Sequence, residues 1–234
     1  MAISHPARAQ RRVWDGRADS WDEVAESSLT AVVEAVLRAA HPRPGTTAVD
    51  LGSGSGQLSL PLARAGLEVT AVDVSPKMID HLQERARRER IEGVTTVVAA
   101  VEGFRLPEGS VDLVVSNYAL HHLRDRDKRE VVAAAARWLR PGGRLVVGDM
   151  MFGRGSASHD RTVIKGKLVV LLRRGPAGWW RVMKNVVKFG LRIGERPVPM
   201  ERWTRYFEEA GLTAVSGSRV VAEAAVVLGV KPQD

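Results

Sequence analysis

Apolar, β-branched runs recur near 46–51, 68–73, 94–99, 111–116 and 143–149, and between them the spacing changes to helical near 57–65, 76–90 and 125–139. Short apolar runs alternating with amphipathic helices predict a parallel sheet wound by right-handed crossovers, an α/β fold of doubly wound type. Ser75-Pro76 predicts a helix start, with the serine as N-cap and the proline at the first helical position. Pro141-Gly142-Gly143 predicts the stop between the 125–139 helix and the fifth strand. A further helix near 200–210, ended at Gly211, precedes two more runs near 212–218 and 222–230.

The first βα turn carries chemistry. Residues 49–56 read Val-Asp-Leu-Gly-Ser-Gly-Ser-Gly, and an isolated acid, Asp73, closes the next strand. An apolar strand, a glycine turn and an acid about twenty residues later suit an adenosyl group in a doubly wound sheet. A dinucleotide fingerprint needs Gly-x-Gly-x-x-Gly so that a helix can approach a pyrophosphate. Here Gly52, Gly54 and Gly56 are followed by Gln57, and no Gly-Lys-Ser/Thr follows to make a P-loop. The turn therefore points to a cofactor without a pyrophosphate, which disfavours a nicotinamide oxidoreductase. The alternative is a plain strand-to-helix turn with Asp73 ending a strand.

This stretch resembles motif I of the class I S-adenosylmethionine-dependent methyltransferases. The resemblance covers residues 20–150 and 198–231 and implies a Rossmann-like, seven-stranded sheet, mostly parallel with one antiparallel C-terminal strand. It implies S-adenosyl-L-methionine as cofactor and S-adenosyl-L-homocysteine as product. By resemblance, Gly52, Ser53, Gly54 and Gly56 shape the turn under the methionyl part, and Asp73 holds the ribose hydroxyls. Asp50 organises the turn through contacts to the donor's amino group, or serves only as a turn-former. Val74, Ala100 and Val101 surround the adenine, and Met78 packs on its face or in the core. Ala100 stands where the family has an aspartate that accepts from the adenine amino group, a loss worth about 1 kcal/mol. That departure is the one sign of a rival reading, a binding module without turnover.

The segment Asn117-Tyr118-Ala119-Leu120-His121-His122-Leu123 resembles motif IV of the branch that includes quinone and phosphobase methyltransferases. Asn117 and Tyr118 are expected to border the transferred methyl. His122, or else His121, is expected to act as base, since histidine can take a proton near neutral pH; the alternative is a histidine that packs under the next helix. Asp149, ending the fifth strand, is expected to face the same crevice. The run from Trp14 to Asp22 is similar to the short segment that in this family folds over the cofactor.

Length and charge narrow the rest. At 234 residues the chain fits one domain, and the absence of cysteine excludes disulfides and thiolate chemistry. The reaction needs no metal. No apolar run approaches the roughly twenty residues that span a bilayer, and the N-terminus lacks a signal core, so a cytoplasmic protein is expected. Of the net charge of +8, a local +9 lies within 154–196. There Trp179, Val182, Met183, Val186, Val187, Gly190 and Ile193 recur at helical spacing opposite Arg181, Lys184, Lys188 and Arg192. This basic amphipathic stretch either caps the acceptor pocket, rests on an anionic membrane surface, binds an anionic or phosphorylated small substrate, or pairs two chains as a homodimer. Nucleic acid is disfavoured, because the pattern lacks exposed stacking aromatics and an Asn/Asp-Pro-Pro-Tyr/Phe motif.

The expected organisation is one domain over 1–234: a helical cover (1–40), a cofactor-binding core (41–150), a basic helical insertion or lid (151–199), and a C-terminal helix and hairpin (200–234). The expected activity is methyl transfer to an oxygen, nitrogen or carbon of a small, hydrophobic or lipid-like acceptor.

Overall fold

The computed structural model describes residue 11 and residues 14–16, 27–153 and 196–233. The basic stretch 154–195, with the helical stripe read in it, lies outside the described residues. In chain order the elements are α1 (Ser27–Ala40), β1 (Thr47–Leu51), α2 (Ser59–Arg64), β2 (Glu68–Asp73), α3 (Pro76–Arg88) and β3 (Val94–Val98). There follow β4 (Val111–Asn117), a 3₁₀ turn (Leu120–His122), α4 (Asp125–Trp138), β5 (Leu139–Met150), α5 (Met200–Glu209), β6 (Thr213–Arg219) and β7 (Ala224–Val230).

The seven strands are ordered β3-β2-β1-β4-β5-β7-β6. Strands β1 to β5 pair in parallel, and β7 runs antiparallel between β5 and β6. The chain order reverses between β1 and β4, so their carboxyl ends diverge into the crevice where such sheets receive ligands. Alternation along the strands sends Val49, Leu51, Val72 and Val114 toward one core, shared with α4 and α5. Ala48, Val69, Leu113, Val115 and Val146 point the other way, toward α1.

Local chemistry sets the helix ends. The Ser75 hydroxyl accepts from Met78 N at 3.2 Å with Pro76 at the first turn, and Gly211 takes φ +79 just past α5. The Pro-Gly-Gly expectation fails. Helix α4 ends at Trp138, and Pro141-Gly142-Gly143 lies inside β5. There it forms an irregularity: the register against β4 jumps from Val111↔Leu139 to Leu113↔Arg144. Gly142 N donates to Lys231 O at 3.0 Å and Lys231 N to Gly143 O at 2.8 Å, so the displaced main chain is satisfied by the tail after β7.

At the amino-terminal edge of the sheet, Asp112 accepts from Thr47 N (2.9 Å), Thr47 Oγ1 (2.9 Å) and Arg140 Nη1 (2.7 Å). Burial works to raise the Asp112 pKa, but these bonds and the Arg140 charge outweigh it and hold the carboxyl below its ordinary range.

Candidate active site

A cleft of about 770 Å³, counting its open mouth, lies at the carboxyl ends of β1, β2 and β4. Its described walls include Asp50, Gly52, Ser53, Gly54, Asp73 and Val74, then Met78, Val101, Asn117, Tyr118 and His122. The glycine turn is bent sharply, with Gly52 at φ +75 and Gly54 at φ +51. A Cβ on Gly52 would come within 2.3 Å of the Ala119 Cβ, so only glycine lets the turn pass beneath the loop after β4. Gly56 (φ +91) is not on the described wall. Its missing side chain makes room for Leu82 and Leu60, so it serves helix packing.

Asp73 stands against this turn. Its Oδ2 accepts from Gly54 N at 2.9 Å and its Oδ1 from Ser75 N at 2.8 Å. Burial raises its pKa, partly countered by these main-chain bonds, while nearby Asp15 adds a like charge. A carboxylate offers about four lone-pair sites; the Gly54, Ser75 and Val74 main-chain bonds take three, which leaves room for a ribose hydroxyl. Asp50 is fully buried at the end of β1 and accepts from Ser59 Oγ at 2.6 Å. Burial pushes it up to about 7 against that hydrogen bond, with the neighbouring Asp73 charge adding to the rise. A cation placed beside these two acids would favour their charged forms.

Among the described residues, the Ser53 hydroxyl and both the oxygen and the nitrogen of the Asn117 amide on this wall lack hydrogen-bond partners. Buried groups of this kind cost free energy unless a ligand or water meets them. A left-handed glycine cradle, two buried acids and an unmet amide together fit a cationic nucleoside with a ribose.

The other expected residues divide. Met78 and Val101 are on the wall, whereas Ala100 is not among its described residues. Tyr118 is on the wall at φ +48, an uncommon conformation for a bulky residue; its N–H donates to Gly148 O at 2.9 Å, and its ring packs against Met150 and Phe152. Of the two histidines, only His122 lines the cleft. His121 is buried, with Nδ1 2.6 Å from Asp149 Oδ1 and its main-chain N–H donating to Asp149 Oδ2 at 2.8 Å. Asp149 is therefore not at the crevice as expected; it is fully buried beneath the turn that carries both histidines. Within a single 3₁₀ turn, adjacent side chains point in different directions, so one histidine meets the cleft and the other meets β5.

Some contributors were not singled out in the sequence. Gln57, Leu58, Ala119 and Leu123 also line the cleft. Trp14 lines it as well, its ring meeting that of His122 edge-on at 5.2 Å and 70°, and Asp15 Oδ1 accepts from Ser75 Oγ at 2.6 Å. Thus the short N-terminal piece touches the helix cap beside Asp73 and the histidine across the cleft. The sequence points to this piece, within the run from Trp14 to Asp22 that resembles the family's cover over the cofactor.

Residues 48–143 match the family described as "Methyltransferase domain". Over those residues the chain is similar to methyltransferase domains. An uncharacterized methyltransferase of Geobacillus sp. (strain WCH70) is 30% identical over 141 residues, 58% of this chain and 64% of that protein. The 27-O-demethylrifamycin SV methyltransferase of Amycolatopsis mediterranei (strain S699) is 31% identical over 162 residues, 64% of this chain and 59% of that protein. The chain thus spans less than two thirds of either relative's length. Among solved structures, magnesium protoporphyrin IX methyltransferase from Synechocystis PCC 6803 with bound cofactor superposes with a TM-score of 0.66 over 99% of both chains at 17% identity, a likeness of fold. The cleft described above fits S-adenosylmethionine, the compound bound in that Synechocystis structure. No helix among the described residues is long and apolar enough to cross a membrane.

Proposed function

We propose that the protein transfers a methyl group from S-adenosylmethionine to an oxygen, nitrogen or carbon atom of a small, hydrophobic or lipid-like acceptor. The observation that carries this reading is the cleft in which Asp73, bound to the glycine turn, lies on one side and the unmet Asn117 amide beside His122 on the other.

Bound there, the cofactor would supply an electrophilic methyl on a sulfonium. Gly52, Ser53 and Gly54 support its methionyl part, Asp50 faces its amino group, and Asp73 takes the ribose hydroxyls. Val74, Met78 and Val101 enclose the adenine, with Ala100 contributing no acceptor for its amino group. Asn117 and Tyr118 border the reacting carbon and orient the acceptor, which supplies most of the rate gain in an in-line displacement. When the acceptor atom carries a proton, His122 receives it at an imidazole nitrogen. Trp14 and Leu123 give that end of the cleft an apolar surface, which supports a hydrophobic acceptor.

Titration calorimetry with S-adenosylmethionine and S-adenosylhomocysteine tests the cofactor site, and transfer of a radiolabelled methyl to a panel of phenols, amines and quinols tests turnover. No affinity for either compound sinks the reading. Affinity without transfer to any acceptor favours the binding module to which Ala100 points.

For the basic stretch 154–196 we propose a capping role over the acceptor, with an anionic membrane surface as the second reading because of its local +9 charge. Flotation with anionic liposomes, repeated on Arg181→Glu/Lys184→Glu/Lys188→Glu, decides between them. Loss of flotation in the variant supports the membrane, and no flotation of the parent supports the cap.

A further inference from the structure

A lysine is buried without a carboxylate at hydrogen-bond distance. Lys128, on the first turn of α4, is 0% exposed. Its Nζ donates to Leu123 O and to Arg196 O, each at 2.7 Å, and the nearest acid oxygen, Asp125 Oδ1, is 3.8 Å away. Taking an ammonium out of water costs several kcal/mol, and an apolar residue of similar volume would fill the space more cheaply. What the ammonium gains is the pair of carbonyls it joins, which belong to segments far apart in the chain.

Those carbonyls complete a closed circuit. Arg196 N donates to His121 O at 2.7 Å, and Arg196 O accepts from Lys128, which also donates to Leu123 O. The carbonyls of His121 and Leu123, on either side of His122, are thereby fixed, one by the strap 196–199 and the other by the lysine. The strap is itself anchored, because Val198 is buried in the core shared with α4 and α5. Beneath the same turn, Asp149 holds the His121 ring and main-chain N–H. His122 is thus the one residue of the circuit whose ring lines the cleft.

We propose that Lys128 is a positioning residue: it locks the 196–199 strap onto the 120–123 turn, and so sets the direction of the His122 imidazole. The proposal rests on the reading of His122 as the base, but its test does not need an acceptor.

The test uses the full chain saturated with S-adenosylhomocysteine, with ring-labelled histidine and the His122 signal assigned by its loss in His122→Gln. Lys128→Met removes the donors at similar volume. The expected result is a cooperative thermal transition and a cofactor-product affinity within about twofold of wild type, together with a displaced or multiple His122 ring signal and faster hydrogen exchange at the Arg196 amide. His41 and His81, remote from the circuit, keep their signals. Lys128→Arg, which retains donors, restores a single His122 signal. If Lys128→Met does not fold, Lys128→Gln, able to reach one carbonyl only, carries the same comparison. An unmoved His122 signal in a folded variant overturns the proposal, as does equal broadening of every histidine, which would mean a merely structural lysine. Absence of S-adenosylhomocysteine binding in the wild type would instead overturn the methyltransferase reading, and the His122 response without cofactor would still judge Lys128.

Discussion

The two ends of the sheet treat their carboxylates in opposite ways. At the amino-terminal edge, Asp112 meets three donors and is held in its charged form. At the carboxyl edge, burial drives Asp50 and Asp73 upward, and the Ser53 hydroxyl and Asn117 amide beside them lack partners. One end is complete in itself. The other is left short of positive charge and of hydrogen-bond partners, as expected of a surface that a cation with hydroxyl groups will finish.

The contrast can be attacked from the glycine turn first. Gly52→Val forces a side chain into Ala119 at a left-handed φ, so S-adenosylmethionine binding should vanish from calorimetry and stability should fall by about 3 kcal/mol in urea unfolding. Asp73→Ala should weaken S-adenosylmethionine about 100-fold, the worth of a hydrogen bond to a charged acceptor, and should also cost about 1–2 kcal/mol of stability because the Gly54 and Ser75 N–H groups lose their acceptor. A 100-fold loss of affinity from Asp112→Ala would break the comparison. That variant should instead lose about 2 kcal/mol of stability and bind the cofactor as wild type does.

A pH series sharpens the same point. Burial pushes the Asp50 carboxyl up to about 7, against about 4 for a free aspartate, so between those limits the folded state holds a proton that the unfolded chain has released. Its contribution therefore lowers the stability of the cofactor-free protein as pH rises from about 4 to about 7, with no further change above. A bound cation favours the carboxylate, so S-adenosylmethionine affinity should rise over that window and level off above it. Asp50→Asn should flatten both trends in thermal-shift and calorimetric measurements. The smallest effect is at the cap of α3: Ser75→Ala removes the bond to Met78 N and the contact to Asp15 and should cost about 1 kcal/mol.

How far the sequence reaches depends on how local the cause is. The strand and helix runs, the Ser75 cap and the positions of Gly52 and Asp73 follow from neighbours within a few residues, and the structure has each where the pattern predicts it. The separation of His121 from His122 was not legible, since what decides it is Asp149, 28 residues along the chain. The Pro-Gly-Gly of β5 read as a stop because its satisfaction comes from the chain after β7, which no local pattern reveals. The circuit through Lys128 and Arg196 spans 68 residues, so no local pattern reveals it.

Tyr118 carries a different lesson. A tyrosine at φ +48 gives up about 1–2 kcal/mol relative to glycine at the same place. Selection for heat resistance alone would therefore tend to replace it, and with it would go the aromatic wall of the cleft. In a survey of variants, position 118 should be found where gains in durability and losses in catalysis coincide, so the turn marks a place where endurance and use compete for one side chain.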